Sequence, residues 1–375
     1  MGTVRNAELV DDNLLKRKIG ESTFSVKWLL DALRDNDNEW KATVAGQRVS
    51  KVDTRDISEG KGLASWIYRV KITVEPSHKS YGVILKVPHM KKLRAATNAA
   101  KEGSKDEEEA SEIMNAREIE FYTKHARSGL PLPKIYAVKE VTHSQEGAIL
   151  MEDVGKDTAM MDREQLMTYE QIVALIRCLA QLHAYSLSLP EGYLKEIKVP
   201  KVSANLYYNM IRQNAPLTAK LDERYMKLYE QVKNVFDSSE FVEYSLNGIH
   251  LDLGIPAVLV HGDIHQLNIF WNALPDGTCG SKVKAIIDWQ AMHAGNIGQD
   301  LARLMIIAMT SEQRRDREKE ILDVYRQTLL QEAAKYNVDI KFGEKEVGAS
   351  VTSTNYTMNI VAYLFSLQSN YANKL

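Results

Sequence analysis

HGDIHQLNIF, residues 261–270, follows the apolar run AVLV at 257–260. Two histidines, an aspartate and an asparagine therefore sit between segments whose composition suits burial. Polar groups in such a place are costly unless they are paired or used. Asp263 follows a predicted strand, and Asn268 lies five residues on. Asp288 ends a second predicted strand, KAIID at 284–288, beyond the turn PDGTCG at 275–280. Two short strands joined by a turn would bring Asp263, Asn268 and Asp288 together at one end. An amide oxygen with a carboxylate suits magnesium rather than zinc, because magnesium prefers hard oxygen ligands and keeps some waters. A second carboxylate beside them can take a proton from an attacking hydroxyl. Base on the loop, Asn and Asp on the metal: that is the phosphoryl-transfer layout of the protein-kinase type.

The same layout makes demands on the first half of the chain. It needs a glycine turn between the first two strands, and EGKGLAS supplies Gly60 and Gly62. It needs a lysine on the third strand, and VILK supplies Lys86. It needs a glutamate on the next helix, and AREIEFY supplies Glu118. The turn lets backbone amides approach phosphates, Lys86 neutralises their charge, and Glu118 holds Lys86 in place. Singly, each has a plain structural explanation: a hairpin turn, a strand-edge lysine, a solvated glutamate. In combination each sits on the element that its role requires. A Walker A pattern is absent.

Periodicity places the elements. SVKWLLDALR (25–34) predicts an amphipathic helix capped by Thr23 or Ser25. Strands are expected at 48–58, 64–75 and 81–89, forming an antiparallel sheet, then a helix over roughly 108–127 and strands at 134–141 and 147–153. Thr168 and Gln171 form a capping box ahead of IVALIRCLAQLHAYSL. Further helices follow, with breaks at Pro200 and Pro216, and again from about 298 with breaks near Asn337 and Gly343. The expected class is α+β: a bilobal, protein-kinase-like arrangement. A small β-rich lobe of residues 1–153 would carry one main helix. A larger helical lobe, 154–375, would hold the two short strands around the motif.

Composition narrows the partners. Charged residues make up 26% of the 375 and the net charge is −2, which gives no electrostatic case for nucleic acid. No apolar run is long enough to span a bilayer, and the amino-terminal MGTVRNAELVDD has no signal-peptide core. The two cysteines, Cys178 and Cys279, make no disulfide framework, so the expected compartment is the reducing cytoplasm. No protein partner is implied.

HGDIHQLN resembles the HGDxxxxN catalytic loop of the aminoglycoside phosphotransferase and choline kinase superfamily. AIIDWQAMHAGNIGQDLARLM resembles that superfamily's metal-binding aspartate segment, ILMEDVG its lobe-connecting hinge, and LAQLHAYSL the helix beneath the catalytic loop. Within it, the wording is most similar to the CHK kinase-like and ecdysteroid kinase-like proteins, nematode-type members in particular. The resemblance covers residues 50–310. It implies ATP and magnesium as cofactors, Asp263 as catalytic base, and Asn268 and Asp288 as magnesium ligands. It further implies Lys86 and Glu118 as the phosphate-positioning pair, main-chain groups near Met151, Glu152 and Asp153 for adenine, and His261 and Asp300 as braces of the loop. Many ecdysteroid kinase-like members carry an aromatic residue where this chain has His265. Glu120 lies two residues from Glu118, and only one of the two can face Lys86; the resemblance implies Glu118, whose spacing to Phe121 and Tyr122 fits the family pattern.

The expected reaction moves the γ-phosphate of ATP to a hydroxyl of a small molecule. Choline or ethanolamine, a steroid-like alcohol and a sugar conjugate are the rival acceptors. Tyr207, Tyr208, Tyr225, Tyr229, Tyr244, Tyr356, Tyr363 and Phe365 offer material for an aromatic cage, and Asp222, Glu223 and Glu240 for binding a cation. Most of them have the plainer explanation of core tyrosines and solvated acids. A catalytically silent nucleotide-binding pseudokinase is the alternative from another class. A protein kinase is disfavoured by the absence of HRD, DFG and APE motifs.

Overall fold

The structure is a computed structural model, described here for residues 11–58, 65–89, 105–142, 144–220 and 223–354. The chain divides into two compact units, Met1–Thr123 with Pro133–Lys156, and Lys124–Leu132 with Asp157–Leu375.

In the first unit, helices α1 (Asp12–Lys16), α2 (Val26–Asn36) and α3 (Asn38–Val44) precede strands β1 (Arg48–Asp56), β2 (Ser65–Glu75) and β3 (Ser80–Pro88). Helix α4 (Lys105–Lys124) and strands β4 (Ile135–Lys139) and β5 (Ala148–Glu152) complete it. The strands form one antiparallel sheet in the order β1-β2-β3-β5-β4. Ser25, not Thr23, caps α2, accepting from the Trp28 amide. Val26, Leu29, Leu30 and Leu33 recur at helical spacing and are buried against the sheet's apolar face. Each such leucine contributes roughly 1.5–3 kcal/mol before chain entropy is counted. Along β3, Val83, Leu85 and Val87 enter that core. Alternation then sends Lys86 to the opposite face.

The second unit begins its regular structure with β6 (Thr158–Ala159) and α5 (Tyr169–Leu187). The Thr168–Gln171 capping box at the start of α5 is complete in both directions. Helices α6 (Lys201–Ala219), α7 (Glu223–Phe236), α8 (Ser239–Asn247) and α9 (Ile249–Asp252) follow. Pro216 does not break α6 but lies inside it. It sits near the carboxyl end, where its missing N–H removes one bond and few turns remain to be disturbed. Next come β7 (Val258–Val260), β8 (Ile269–Ala273), β9 (Cys279–Ile286), β10 (His293–Gly295), α10 (Gly298–Ala308) and α11 (Ser311–Lys335). Helix α5 packs along α11, where the buried His183 Nδ1 and the Tyr325 hydroxyl lie 2.7 Å apart. Residues 344–354 are again helical.

The strands around the motif differ from expectation. Instead of two flanking strands, the second unit has five among its described residues, in two small sheets: β6-β8-β9 and β10-β7. AVLV pairs with β10, not with KAIID. The first three residues of KAIID, Lys284 to Ile286, end β9, whose partner β8 begins directly after Asn268. Asp288 lies past the end of β9.

Among the described residues every paired strand is antiparallel, and no helix is long and apolar enough to cross a membrane.

Candidate active site

Strand β7 ends at Val260, and the chain turns sharply through His261 and Gly262. A turn of this kind leaves buried backbone N–H groups that need acceptors. The fully buried Asp300, in the first turn of α10, supplies both: its carboxylate accepts from the His261 amide at 2.5 Å and the Gly262 amide at 3.0 Å. Gly262 has φ of 79°, and a Cβ there would run into the Ala291 carbonyl oxygen. Gly262→Ala is therefore expected to lower unfolding stability by at least about 1–3 kcal/mol, the usual cost of a strained left-handed residue. Denaturant unfolding checks this; a wild-type midpoint would show that the turn adapts.

The His261 ring locks the loop to the end of β9. Its Nε2 lies 3.0 Å from the Ile287 carbonyl oxygen, and its Nδ1 accepts from the Asp263 amide at 3.2 Å. These partners call for the neutral ring with its proton on Nε2, and burial pushes its pKa down, in keeping with that state.

Asn268 is buried, and its side-chain nitrogen donates to the Asp263 carbonyl oxygen at 2.9 Å. The Asn268 backbone carbonyl accepts from the Ile287 amide at 3.0 Å, which sets Asp288 next to Asn268 at the end of the β8–β9 ladder. Asp288 itself takes φ of 68°, uncommon for a non-glycine residue. The Asn268 oxygen and the Asp288 carboxylate are hard donors that fit magnesium. Among the described residues no cluster of three or more His, Cys, Asp or Glu side chains could hold a metal. Phosphate oxygens and water would have to complete the coordination, as magnesium commonly requires.

Asp263 is half-exposed, and two cationic or ionisable groups address its carboxylate. Arg303, buried on α10, donates to Oδ1, and His265 Nε2 lies 3.6 Å from Oδ2. Burial alone would raise the Asp263 pKa. The Arg303 guanidinium and His265 more than reverse that and hold it well below the ordinary carboxylate range. Sequence reasoning passed over Arg303. The available signal was that Asp300 and Arg303 are the only charges in the mostly apolar stretch GQDLARLMIIA and share a helix face. It also passed over the bonds from Asn296 to Thr354 (2.9 Å) and from the Gly298 amide to Ser350 (2.8 Å), which tie the start of α10 to helix 344–354.

In the first unit, Lys86 donates to Glu118 at 2.6 Å, with both side chains buried. Glu120 accepts from Arg117 at 2.9 Å, and Glu118 is the glutamate in contact with Lys86, as the resemblance implied. Met151 and Glu152 end β5, and Asp153 follows; the Glu152 side chain accepts from the Lys134 amide at 3.1 Å, and Asp153 pairs with Arg69 at 2.8 Å. Gly60 and Gly62 lie outside the described residues, as do Asp222, Tyr356, Tyr363 and Phe365. Of the acids considered for an acceptor, Glu223 pairs with Lys227 one turn on, at 2.9 Å, and Glu240 accepts from Ser238. Tyr208 donates to the Asp237 carbonyl and Tyr244 to Asp252.

Lys86→Met removes one side of a buried ion pair, so it is expected to lower stability by a few kcal/mol, at most about 3–5, and, if Lys86 handles phosphates, to abolish any ATP turnover as well. Adding Glu118→Leu should return most of the stability and none of the turnover. Recovery of turnover in the double variant would remove Lys86 from the phosphate-handling role.

The family model described as "Uncharacterized oxidoreductase dhs-27", DUF1679, matches residues 44–369. The chain belongs to the DUF1679 family. It is 24% identical over 323 residues to the Caenorhabditis elegans protein "Uncharacterized oxidoreductase dhs-27", a match spanning 82% of this chain and 37% of that protein. The chain thus corresponds to well under half of that DUF1679 relative. It is also 21% identical over 270 residues to "Uncharacterized kinase-like protein D1044.1" of the same nematode, covering 69% of each. Solved structures similar to the chain include the GDP complex of wild-type aminoglycoside 2'-phosphotransferase-IIIa, with 12% identity, TM-score 0.41, and coverage of 89% of this chain and 97% of that one. A thermostable mutant of aminoglycoside phosphotransferase APH(4)-Ia in its apo form matches with 17% identity, TM-score 0.37, and coverage of 86% and 97%.

Proposed function

We propose that this DUF1679 chain is a phosphotransferase that moves the γ-phosphate of ATP to a hydroxyl of a small molecule. The observation that carries the reading is the convergence of Asp263, Asn268 and Asp288 on one loop and the adjoining ladder end, braced by Asp300 and His261. The kinase-like name of one relative supports it.

Asn268 and Asp288 would hold magnesium, which when bound draws together phosphate oxygens and offsets their charge. Lys86, kept in place by Glu118, would supply a further positive charge to the phosphates. Met151, Glu152 and Asp153 would offer main-chain groups to adenine. Asp263 would orient the acceptor hydroxyl. The hydroxyl oxygen forms the new bond to phosphorus, the bond to the bridging oxygen breaks with its electron pair left on ADP, and the hydroxyl proton passes to Asp263. Most of the acceleration is positioning and charge neutralisation.

The oxidoreductase wording of the other relative draws no support from this region. Dinucleotide-binding Rossmann units are built on parallel strands, and the strand pairs described here are antiparallel. The cytoplasmic setting rests on the cysteine usage alone: Cys178 and Cys279 are both free thiols.

Incubation with ATP, magnesium and a metabolite extract, followed by a mass search for products heavier by one phosphate, tests activity and acceptor class together. Binding of ATP with no consumption across such extracts would favour the silent pseudokinase. Transfer to folded proteins or peptides with no small-molecule product would overturn the acceptor class.

A further inference from the structure

We infer that Arg303 is the positioning residue for Asp263, orienting its carboxylate so that Oδ1 is held by the guanidinium and Oδ2 is presented to the acceptor. The inference rests on the phosphotransfer reading for its purpose, but the geometry stands by itself. The loop's other braces stop short of the Asp263 side chain. Asp300 holds the His261 and Gly262 amides, and the His261 ring holds the Asp263 amide. The two torsions of the Asp263 side chain are then free to rotate until a partner stops them. Arg303 is that partner. The nearest other ionisable group, His265 Nε2, is 3.6 Å from Oδ2, beyond hydrogen-bond reach.

Arg303 comes from the same helix turn as Asp300, three residues on, so a single face of α10 holds the loop backbone with an anion and the loop carboxylate with a cation. The arrangement is costly. Arg303 is 5% exposed, and its Nε is buried without a hydrogen-bond partner. An apolar side chain of similar volume would serve packing as well or better. A guanidinium that reaches the reacting loop despite those costs is explained by what it does to Asp263. Its charge is permanent, so the orientation holds at every pH the protein meets. It also lowers the proton affinity of Asp263. Phosphoryl transfer through a loose transition state tolerates this, because little proton transfer is needed before the phosphorus–oxygen bond breaks.

The test uses the full chain with ATP, magnesium and water as the acceptor. The water oxygen then bonds to the γ-phosphorus, the bridging bond breaks toward ADP, and the proton leaves through Asp263 to solvent. Arg303→Gln should reduce kcat by about 10–100-fold, the usual cost of removing an orienting partner, with KM for ATP within about threefold. Arg303→Lys should recover part of the loss. Combined with Asp263→Asn, Arg303→Gln should add nothing, because a residue acting only through Asp263 has no effect once Asp263 is gone. A crystal structure of Arg303→Gln should show the Asp263 carboxylate rotated, and one of Arg303→Lys should show it retained. Wild-type kcat in Arg303→Gln, multiplicative losses in the double variant, or an unmoved carboxylate would each overturn the inference. If the wild-type protein hydrolyses no ATP, water is simply not an acceptor, the phosphotransfer reading is left to the metabolite-extract test, and the crystal structures alone decide the positioning role. If Arg303→Gln does not fold, Arg303→Lys decides: a displaced carboxylate at full rate, or a retained one at the rate of Asp263→Asn, overturns it.

Discussion

Asp263→Asn is expected to slow phosphate transfer by about 100- to 10,000-fold, the range for loss of a general base, while ATP–magnesium binding stays within a few-fold of wild type. Asp263 sits on the loop after β7, whereas Asn268 and Asp288 share the end of the β8–β9 ladder. In the proposed mechanism the nucleotide's metal would therefore have ligands separate from Asp263. Asp288→Asn should fail differently, losing magnesium-dependent nucleotide binding together with turnover. Asparagine is the informative substitution there, because it tolerates the left-handed backbone that Asp288 adopts at φ of 68°. A drop in affinity would then report lost charge and not a distorted turn. Asp263→Asn also leaves the buried Arg303 facing a neutral amide, so thermal unfolding must accompany the kinetics. Calorimetric titration with ATP at several magnesium concentrations separates the two variants. Lost affinity in Asp263→Asn with retained affinity in Asp288→Asn would exchange their roles.

Asp300→Ala should be the most damaging change to the loop itself. It removes the acceptor from two buried amides, and each orphaned donor costs about 1–3 kcal/mol. The expected loss is then roughly 2–6 kcal/mol in denaturant unfolding, with turnover falling in parallel. Asp300→Asn keeps one acceptor oxygen but aims an amide N–H at a backbone N–H, so it should rescue only part of the loss. Full stability in Asp300→Ala would mean that water replaces the carboxylate.

Local signals were legible where the physics is local. The Thr168–Gln171 capping box needs only four consecutive residues, and α5 starts where it predicts. Residues two apart on a helix point in different directions, so only one of Glu118 and Glu120 could meet Lys86; the family pattern implied Glu118, and that is the one in contact. The pairing of AVLV was not legible, because its partner is HAG, a three-residue strand with little strand propensity of its own. β8 was hidden because IFWNA runs straight out of the catalytic-loop motif, whose Asn268 was read for its chemistry and not as the turn that starts a strand. Arg303 was hidden for another reason. Its bond to Asp263 spans 40 residues, and no periodicity relates a loop to a helix at that separation. Gly60 and Gly62 lie outside the described residues, and the nucleotide-binding roles of Lys86, Glu118 and Met151 to Asp153 are expectations like theirs.

The brace on the loop is made after the loop. Asp300 lies 39 residues downstream of the His261 amide that it accepts. A ribosome adding about 5–20 residues per second releases His261 into solution roughly 2–8 s before its acceptor. During that interval, the amides of the motif have only water for partners. The nascent chain therefore carries its chemical residues early and acquires their arrangement late. A stall between Gly262 and Asp300 would leave a tethered chain whose first unit is fully synthesised and whose HGD segment has no fixed shape.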